Sequence, residues 1–184
     1  MPTAKLQDLP RYTYDDYCQW EGDWELIEGV PYAMAPAPAK IHQMLSLQIA
    51  SQLDDGVEEC PDCEVLQDTD WKIDSETTVR PDVAVVCSDQ NPKYISKTPE
   101  IAFEIISPST ASKDENLKLR LYADEGVKYY VLVYPDELLA KIFQLHPDGE
   151  RYRKVAECDS ENYIFEEARC PVSVDFARVF RRFR

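Results

Sequence analysis

Acidic residues stand at two places where the surrounding sequence predicts buried β-strands. Residues 83–87 and 101–106 are short, nearly continuous apolar runs, which are typical of strands covered on both faces. Because side chains alternate along a strand, Glu104 shares a face with apolar neighbours and points into the packed interior. Asp82 stands at the start of the other run. Both acids therefore sit where a soluble protein would normally place apolar side chains.

A carboxylate in such a place needs compensation, because burying it costs several kcal/mol unless it is protonated, paired or bound to a metal. Hard divalent cations such as Mg²⁺ prefer carboxylate oxygens and retain several waters. Lys118 follows Glu104 on a predicted helix, from which its ammonium can reach the acids. The pattern predicts a metal site or, alternatively, a structural ion pair between Glu104 and Arg80 or Lys118, with Asp114 and Lys118 paired on the helix surface.

A set of motifs in a fixed order resembles the bacterial Uma family, which belongs to the restriction-endonuclease-like PD-(D/E)XK superfamily. The motifs are Arg80–Val86, Phe103–Thr110, Asp114 with Lys118 and Tyr122, and Gly126–Tyr130. The resemblance runs over about residues 12–176 and includes residues 25–29 and His42. It implies a restriction-endonuclease-like α/β fold of the α+β kind. In that fold, a mixed β-sheet core is flanked by helices, here with an added antiparallel strand meander.

The resemblance also implies a chemistry, namely metal-dependent hydrolysis of phosphodiester bonds in DNA. Asp82, Glu104 and the backbone carbonyl of Ile105 would hold Mg²⁺ or Mn²⁺, which lowers the pKa of a bound water. The superfamily normally places a lysine two residues after the second acid, where this chain has isoleucine. Lys118 would supply the ammonium instead, and Glu28 would add an acid near the site. His42 either lines the cleft or has a structural role.

Other interpretations of the same residues remain open at this point. A non-catalytic domain that binds nucleic acid or protein could keep the fold and retain the acids in an ion pair. Paired carboxylates also serve glycosidases, although the nearby lysine argues against that class. The Cys60-Pro61-Asp62-Cys63 motif permits zinc or redox chemistry, but a second CxxC motif is absent. A homodimer is expected only by analogy with the superfamily.

The elements that must position these residues follow from periodicity and turn signals. Two capping boxes predict helices that start at Thr13 and Ser112, and apolar spacing predicts a longer helix from Ile41 to about Leu53. The remaining predictions are strands, with the last three forming a meander, and a C-terminal stretch from Ser173 whose periodicity does not decide its structure. The predicted strands span residues 24–28, 30–34, 64–73, 83–87, 101–106, 129–134, 140–145 and 152–156. Residues 35–39 break the pattern.

Chain length and net charge limit the number of domains and the kinds of partner that are possible. The 184 residues, 44% of them hydrophobic, suit a single domain over residues 1–184, with a core at about 12–176 and a basic tail at 177–184. The formal net charge of −15 opposes a polyanionic partner at long range. It predicts weak non-specific affinity for DNA and low tolerance of salt. A duplex would then have to approach along the helix that carries Lys113, Lys118 and Arg120.

The compartment is predicted from apolar runs and cysteines. The longest apolar stretches are too short to cross a membrane, and residues 1–10 show no secretory signal. Six scattered cysteines in a chain with a sufficient core favour free thiols in a reducing compartment. The sequence therefore predicts a cytoplasmic protein without structural disulfides.

Overall fold

The chain folds around a mixed six-stranded sheet, as a computed structural model shows for residues 10–34 and 39–184. The predictions for residues 1–9 and 35–38 lie outside the described residues. The helices are α1 (Tyr14–Tyr17), α2 (Lys40–Val57), α3 (Leu119–Asp124) and α4 (Phe176–Phe180). The strands are β1 (Trp24–Ile27), β2 (Val30–Ala33), β3 (Cys63–Gln67), β4 (Trp71–Lys72), β5 (Thr78–Val79), β6 (Val83–Cys87), β7 (Ile101–Ile105), β8 (Tyr129–Tyr134), β9 (Leu139–Leu145), β10 (Tyr152–Cys158), β11 (Asn162–Phe165) and β12 (Val172–Asp175).

The central sheet has the strand order β10-β9-β8-β7-β6-β3. Strands β7 and β8 are parallel, and the other neighbouring pairs are antiparallel. A four-stranded sheet has the order β2-β1-β5-β4, and β11 pairs with β12. The parallel pair requires a crossover between β7 and β8, and the helical segment that carries Lys118 supplies it. The predicted meander of the last three strands of this sheet is confirmed.

Two apolar clusters cover the two faces of the central sheet. On one face, α2 packs with the β11–β12 hairpin and α4 over side chains such as Val85 and Phe103. On the other face, α3 and the four-stranded sheet pack over Ala84, Ala102 and Leu132. All five residues of β6 and of β7 are buried. This confirms the prediction that the two acids belong to strands covered on both faces, since such strands read as continuous apolar runs.

Several predicted boundaries are wrong for identifiable physical reasons. The predicted strand 64–73 is two strands, β3 and β4, which belong to different sheets, and Asp68 between them has a positive φ of 46°. Ser112 is not a cap: its backbone is helical and its side chain makes no cap hydrogen bond. The C-terminal stretch starts as strand β12, and the predicted basic tail is anchored because Val179 and Phe180 are buried. The local periodicity of this stretch could not predict that it pairs with β11.

The prediction of no structural disulfide is also wrong. Cys60 is bonded to Cys170 and Cys63 to Cys87, so the two cysteines of the CxxC motif pair with partners elsewhere. The antiparallel register of β3 and β6 sets Cys63 opposite Cys87. Such juxtapositions come from topology and cannot be read from cysteine spacing. The argument from free thiols to a reducing compartment therefore no longer holds.

Candidate active site

Asp82 is held beside Glu104 by the pairing of β6 with β7. The Asp82 N–H donates to the carbonyl of Phe103 at 3.1 Å, and the Ile105 N–H donates to Asp82 Oδ2 at 2.6 Å. Asp82 thus spans the start of β6 and the end of β7 with both its backbone and its side chain. It is 9% exposed and Glu104 is 3% exposed. The structure therefore brings the two predicted acids together at one end of adjacent strands.

Lys118 reaches these acids from the segment Lys113–Lys118, which is a π-helix that continues into α3. Its Nζ lies 2.8 Å from Glu104 Oε1 and 2.7 Å from Glu25 Oε1. A π-helix bonds i to i+5, so residues five apart share a face, and Lys113 also bonds Glu25. The predicted pair of Asp114 with Lys118 is present, with their charged atoms 3.7 Å apart, but its predicted place at the surface is wrong, because both side chains are buried.

Glu25 is the site acid that sequence reasoning missed. It is fully buried in β1, accepts the Arg80 N–H at 2.9 Å, and bonds both Lys113 and Lys118. The signal was present in the sequence. Glu25 and Ile27 share one face of a predicted strand, as Glu104 shares a face of its strand with apolar residues. Applying the argument used for Glu104 to this strand would have selected Glu25.

Glu28, the acid predicted near the site, is not brought there. It is exposed at the turn between β1 and β2, with a φ of 51°, and its N–H donates to Thr77 Oγ1. A positive φ before Gly29 marks Glu28 as part of a tight hairpin turn. Its side chain does not line the cleft that Asp82 and Glu104 share.

Burial and neighbouring charges compete at the site. Burial raises the pKa of Glu104 well above its ordinary value; the Lys118 ammonium opposes this, and the carboxylates of Asp114, Asp82 and Glu25 add to it. Burial alone would lower the pKa of Lys118, but the carboxylates of Glu104, Glu25 and Asp114 outweigh it and raise that pKa. Glu25 is also desolvated, yet its two lysines outweigh burial and lower its pKa. The Tyr122 hydroxyl donates to Glu104 Oε1 at 2.8 Å.

His42, near the start of α2, contacts Asp82 from the other side. Its Nε2 lies 3.2 Å from Asp82 Oδ1, and burial would lower its pKa, but the hydrogen bond and charge of Asp82 outweigh burial and raise it. Among the described residues, the buried Nδ1 has no hydrogen-bond partner. Of the two roles expected for His42, the structure shows both: it lines the cleft and it braces Asp82.

The site opens into a cleft of about 340 Å³. Asp82, Glu104, Asp114 and Lys118 line it together with the loop that follows β7 and with Pro135 after β8. Ile105 also lines it, and its N–H is already bonded to Asp82. All the predicted site residues except Glu28 are thus gathered around one cavity.

The residues present fit a hard divalent cation that keeps most of its waters. Four buried carboxylates (Glu25, Asp82, Glu104 and Asp114) lie beside two lysines. Burial raises the pKa of Glu104 and of Asp114, and a cation bound there would favour their charged forms. Glu104 Oε2 makes no hydrogen bond within the described part of the chain. In residues 10–34 and 39–184, no three His, Cys, Asp or Glu side chains are placed so that together they could hold a metal ion. Magnesium suits such a sparse donor set, because it is commonly held by one or two carboxylates plus water.

The architecture is that of a restriction-endonuclease-like fold. A crystal structure described as "a putative nuclease belonging to DUF820", from Anabaena variabilis, superposes with a TM-score of 0.72 at 16% identity, covering 92% of this chain and 97% of that chain. The Uma2 family model, described as "Putative restriction endonuclease", matches residues 13–170. This chain belongs to the Uma2 family.

One curated relative is an uncharacterized protein from Synechocystis sp. It is 30% identical over 156 residues, which cover 77% of this chain and 78% of that protein.

None of the helices within the described ranges is long and apolar enough to cross a bilayer.

Proposed function

We propose that this chain is a divalent-metal-dependent nuclease that hydrolyses phosphodiester bonds in DNA. The observation that carries the proposal is the convergence of Asp82, Glu104 and Lys118 on one cleft, with Lys118 Nζ 2.8 Å from Glu104 Oε1. Membership of a family described as restriction endonucleases supports the same reaction class. Two acids that would hold a divalent cation, together with an ammonium, suit a reaction in which negative charge on phosphate must be stabilised.

Asp82 and Glu104 would hold Mg²⁺ or Mn²⁺, with the Ile105 carbonyl as a further oxygen donor. When bound, such a cation polarises the phosphate and lowers the pKa of a water. The protein's own contribution is placement. The Ile105 N–H and His42 fix the two oxygens of Asp82, while Lys118 and Tyr122 fix Glu104 Oε1. The Lys118 ammonium would orient the attacking water or balance charge on the phosphate.

The test is nicking and linearisation of supercoiled plasmid at low salt with Mg²⁺ or Mn²⁺. Asp82→Asn and Glu104→Gln keep side-chain shape while removing a charge, and Glu150→Gln, at an exposed turn, is the matched control. Cleavage that needs metal, survives in the control and disappears in both site variants supports the proposal. Absence of cleavage by the wild-type protein on plasmid and on single strands contradicts it.

A second candidate is an interaction domain that keeps the fold without turnover. It is favoured by the extent to which Lys118 is already engaged, since its ammonium contacts both Glu25 and Glu104. Such a fully paired lysine is what a structural ion pair requires. Binding of Mn²⁺ measured by calorimetry, combined with no turnover on any nucleic acid, would favour this candidate over the nuclease.

A further inference from the structure

The cleft is lined by charged, hydroxyl-bearing and apolar side chains. The charged part carries Asp82, Glu104 and Lys118. The apolar part comes from three places: Ile41 in α2, Ile106 and Pro108 after β7, and Pro135 after β8. The loop after β7 also adds the hydroxyls of Ser107, Ser109 and Thr110. A sugar-phosphate backbone can use the charged groups and the hydroxyls but gains little from the apolar surface. The apolar part therefore calls for an apolar portion of the substrate.

The cations near the cleft are already paired with acids. Lys113 bonds Glu25, and Arg80 bonds Asp70 at 2.8 Å and Asp23 at 2.7 Å. Lys118 is likewise engaged, so the basic helix surface predicted for an approaching duplex is not formed, because two of its three cations point inward. Duplex DNA carries the denser line of phosphates and depends on free cations for affinity. With a net charge of −15 and its cleft cations already paired, this chain should bind duplex DNA weakly.

An unpaired nucleotide matches both parts of the cleft. Its phosphate reaches the charged part while its base, no longer stacked inside a duplex, can be buried against the isoleucines and prolines. A volume of about 340 Å³ suits a group of nucleotide size and not the width of a duplex. We infer that the substrate class is DNA with unpaired nucleotides, meaning single strands or the loops and frayed ends of duplexes. This inference rests on the proposed nuclease function.

The test separates binding from cleavage. A labelled single-stranded oligonucleotide and the fully paired duplex of the same sequence are compared by fluorescence anisotropy in EDTA and, in parallel, for cleavage with Mn²⁺. The single strand is expected to bind at least tenfold more tightly. Ile41→Asn should weaken single-strand binding about tenfold, while Leu47→Asn, on the same helix but 58% exposed and outside the cleft, should leave it unchanged. Pro108→Asn, at an exposed cleft position, gives a second test if Ile41→Asn fails to fold.

The outcomes distinguish the inference from the function on which it rests. Duplex that is bound or cut as well as the single strand overturns the inference and leaves the nuclease proposal standing. Single-strand binding that depends on Ile41 or Pro108, without cleavage, supports the cleft assignment and contradicts the nuclease proposal. If neither DNA is bound or cut, both are overturned.

Discussion

Lys118 and Glu104 form a buried ion pair, with Lys118 Nζ 2.8 Å from Glu104 Oε1. Both are nearly fully buried, and each compensates the charge of the other. Removing one partner of a buried pair typically costs about 3–5 kcal/mol, because the remaining charge is left uncompensated. We expect Lys118→Met to lower the free energy of unfolding by about that amount, and the double variant Lys118→Met/Glu104→Gln to lose less. Urea unfolding measures both, in the format of a double-mutant cycle.

The control for this cycle is Lys154→Met, which breaks an exposed pair with Glu157. Water screens such an exposed pair, so this variant should be nearly as stable as the wild-type protein. If Lys118→Met proved equally mild, Lys118 would not be the counter-ion of Glu104 in solution.

Glu25 and Glu28 give a second comparison at the scale of single residues, since they lie three positions apart in one hairpin. Glu25→Gln removes the carboxylate that the buried Lys118 and the half-buried Lys113 share. We expect it to cost about 1.5–3 kcal/mol of stability, typical of a hydrogen bond to a charged group, and to reduce plasmid cleavage at least tenfold. Glu28→Gln should change stability by less than about 0.5 kcal/mol. If Glu28→Gln lost more stability and more cleavage activity than Glu25→Gln, Glu28 and not Glu25 would belong to the site.

At the scale of elements, the disulfides tie distant parts of the chain together. Cys60–Cys170 spans 110 residues and Cys63–Cys87 spans 24. In the chain-entropy description, longer closed loops give more stabilisation, about 5 kcal/mol for the first and about 3.5 kcal/mol for the second. We expect Cys60→Ala/Cys170→Ala to destabilise more than Cys63→Ala/Cys87→Ala in non-reducing urea titrations. Cys18→Ala, at a free exposed thiol, should have little effect, and a reversed order of the two double variants would refute the prediction.

The elements also show where sequence reasoning succeeds and where it stops. Strands β6 and β7 were predictable because their period and composition are local properties, and the same alternation identified Glu104 as an inward-facing acid. The π-helical segment was not predictable, because nothing in the local sequence distinguishes its wider turn from an α-helical one. It nevertheless decides that Lys113 and Lys118 share Glu25. The disulfides and the β11–β12 pairing likewise depend on contacts between residues far apart in sequence.

At the scale of the whole molecule, the prediction of low salt tolerance needs revision. That expectation rested on the net charge of −15, with a duplex approaching along the helix that carries Lys113, Lys118 and Arg120. In the structure, Lys113 and Lys118 are paired with acids inside the site. Few phosphates can then be neutralised on binding. Because the salt dependence of binding counts neutralised phosphates, a single strand held mainly by its base should be bound with a shallow dependence on salt.

We therefore expect the logarithm of the affinity for a single strand to fall with the logarithm of the salt concentration with a slope of about −2 or shallower between about 50 and 200 mM salt. This slope corresponds to roughly three phosphates or fewer.

Asp136→Lys places a cation on an exposed residue that lines the cleft. It should raise affinity several-fold at low salt and steepen the slope by about 0.7. Glu166→Lys makes the same change in net charge near Tyr129, at the opposite end of β8 from Pro135 and the cleft, and should leave the slope unchanged. Anisotropy titrations at several salt concentrations measure all three proteins. If both lysine variants steepened the slope equally, net charge alone would govern binding and the cleft would have no special part in it. If only Asp136→Lys does so, the strand passes through the cleft.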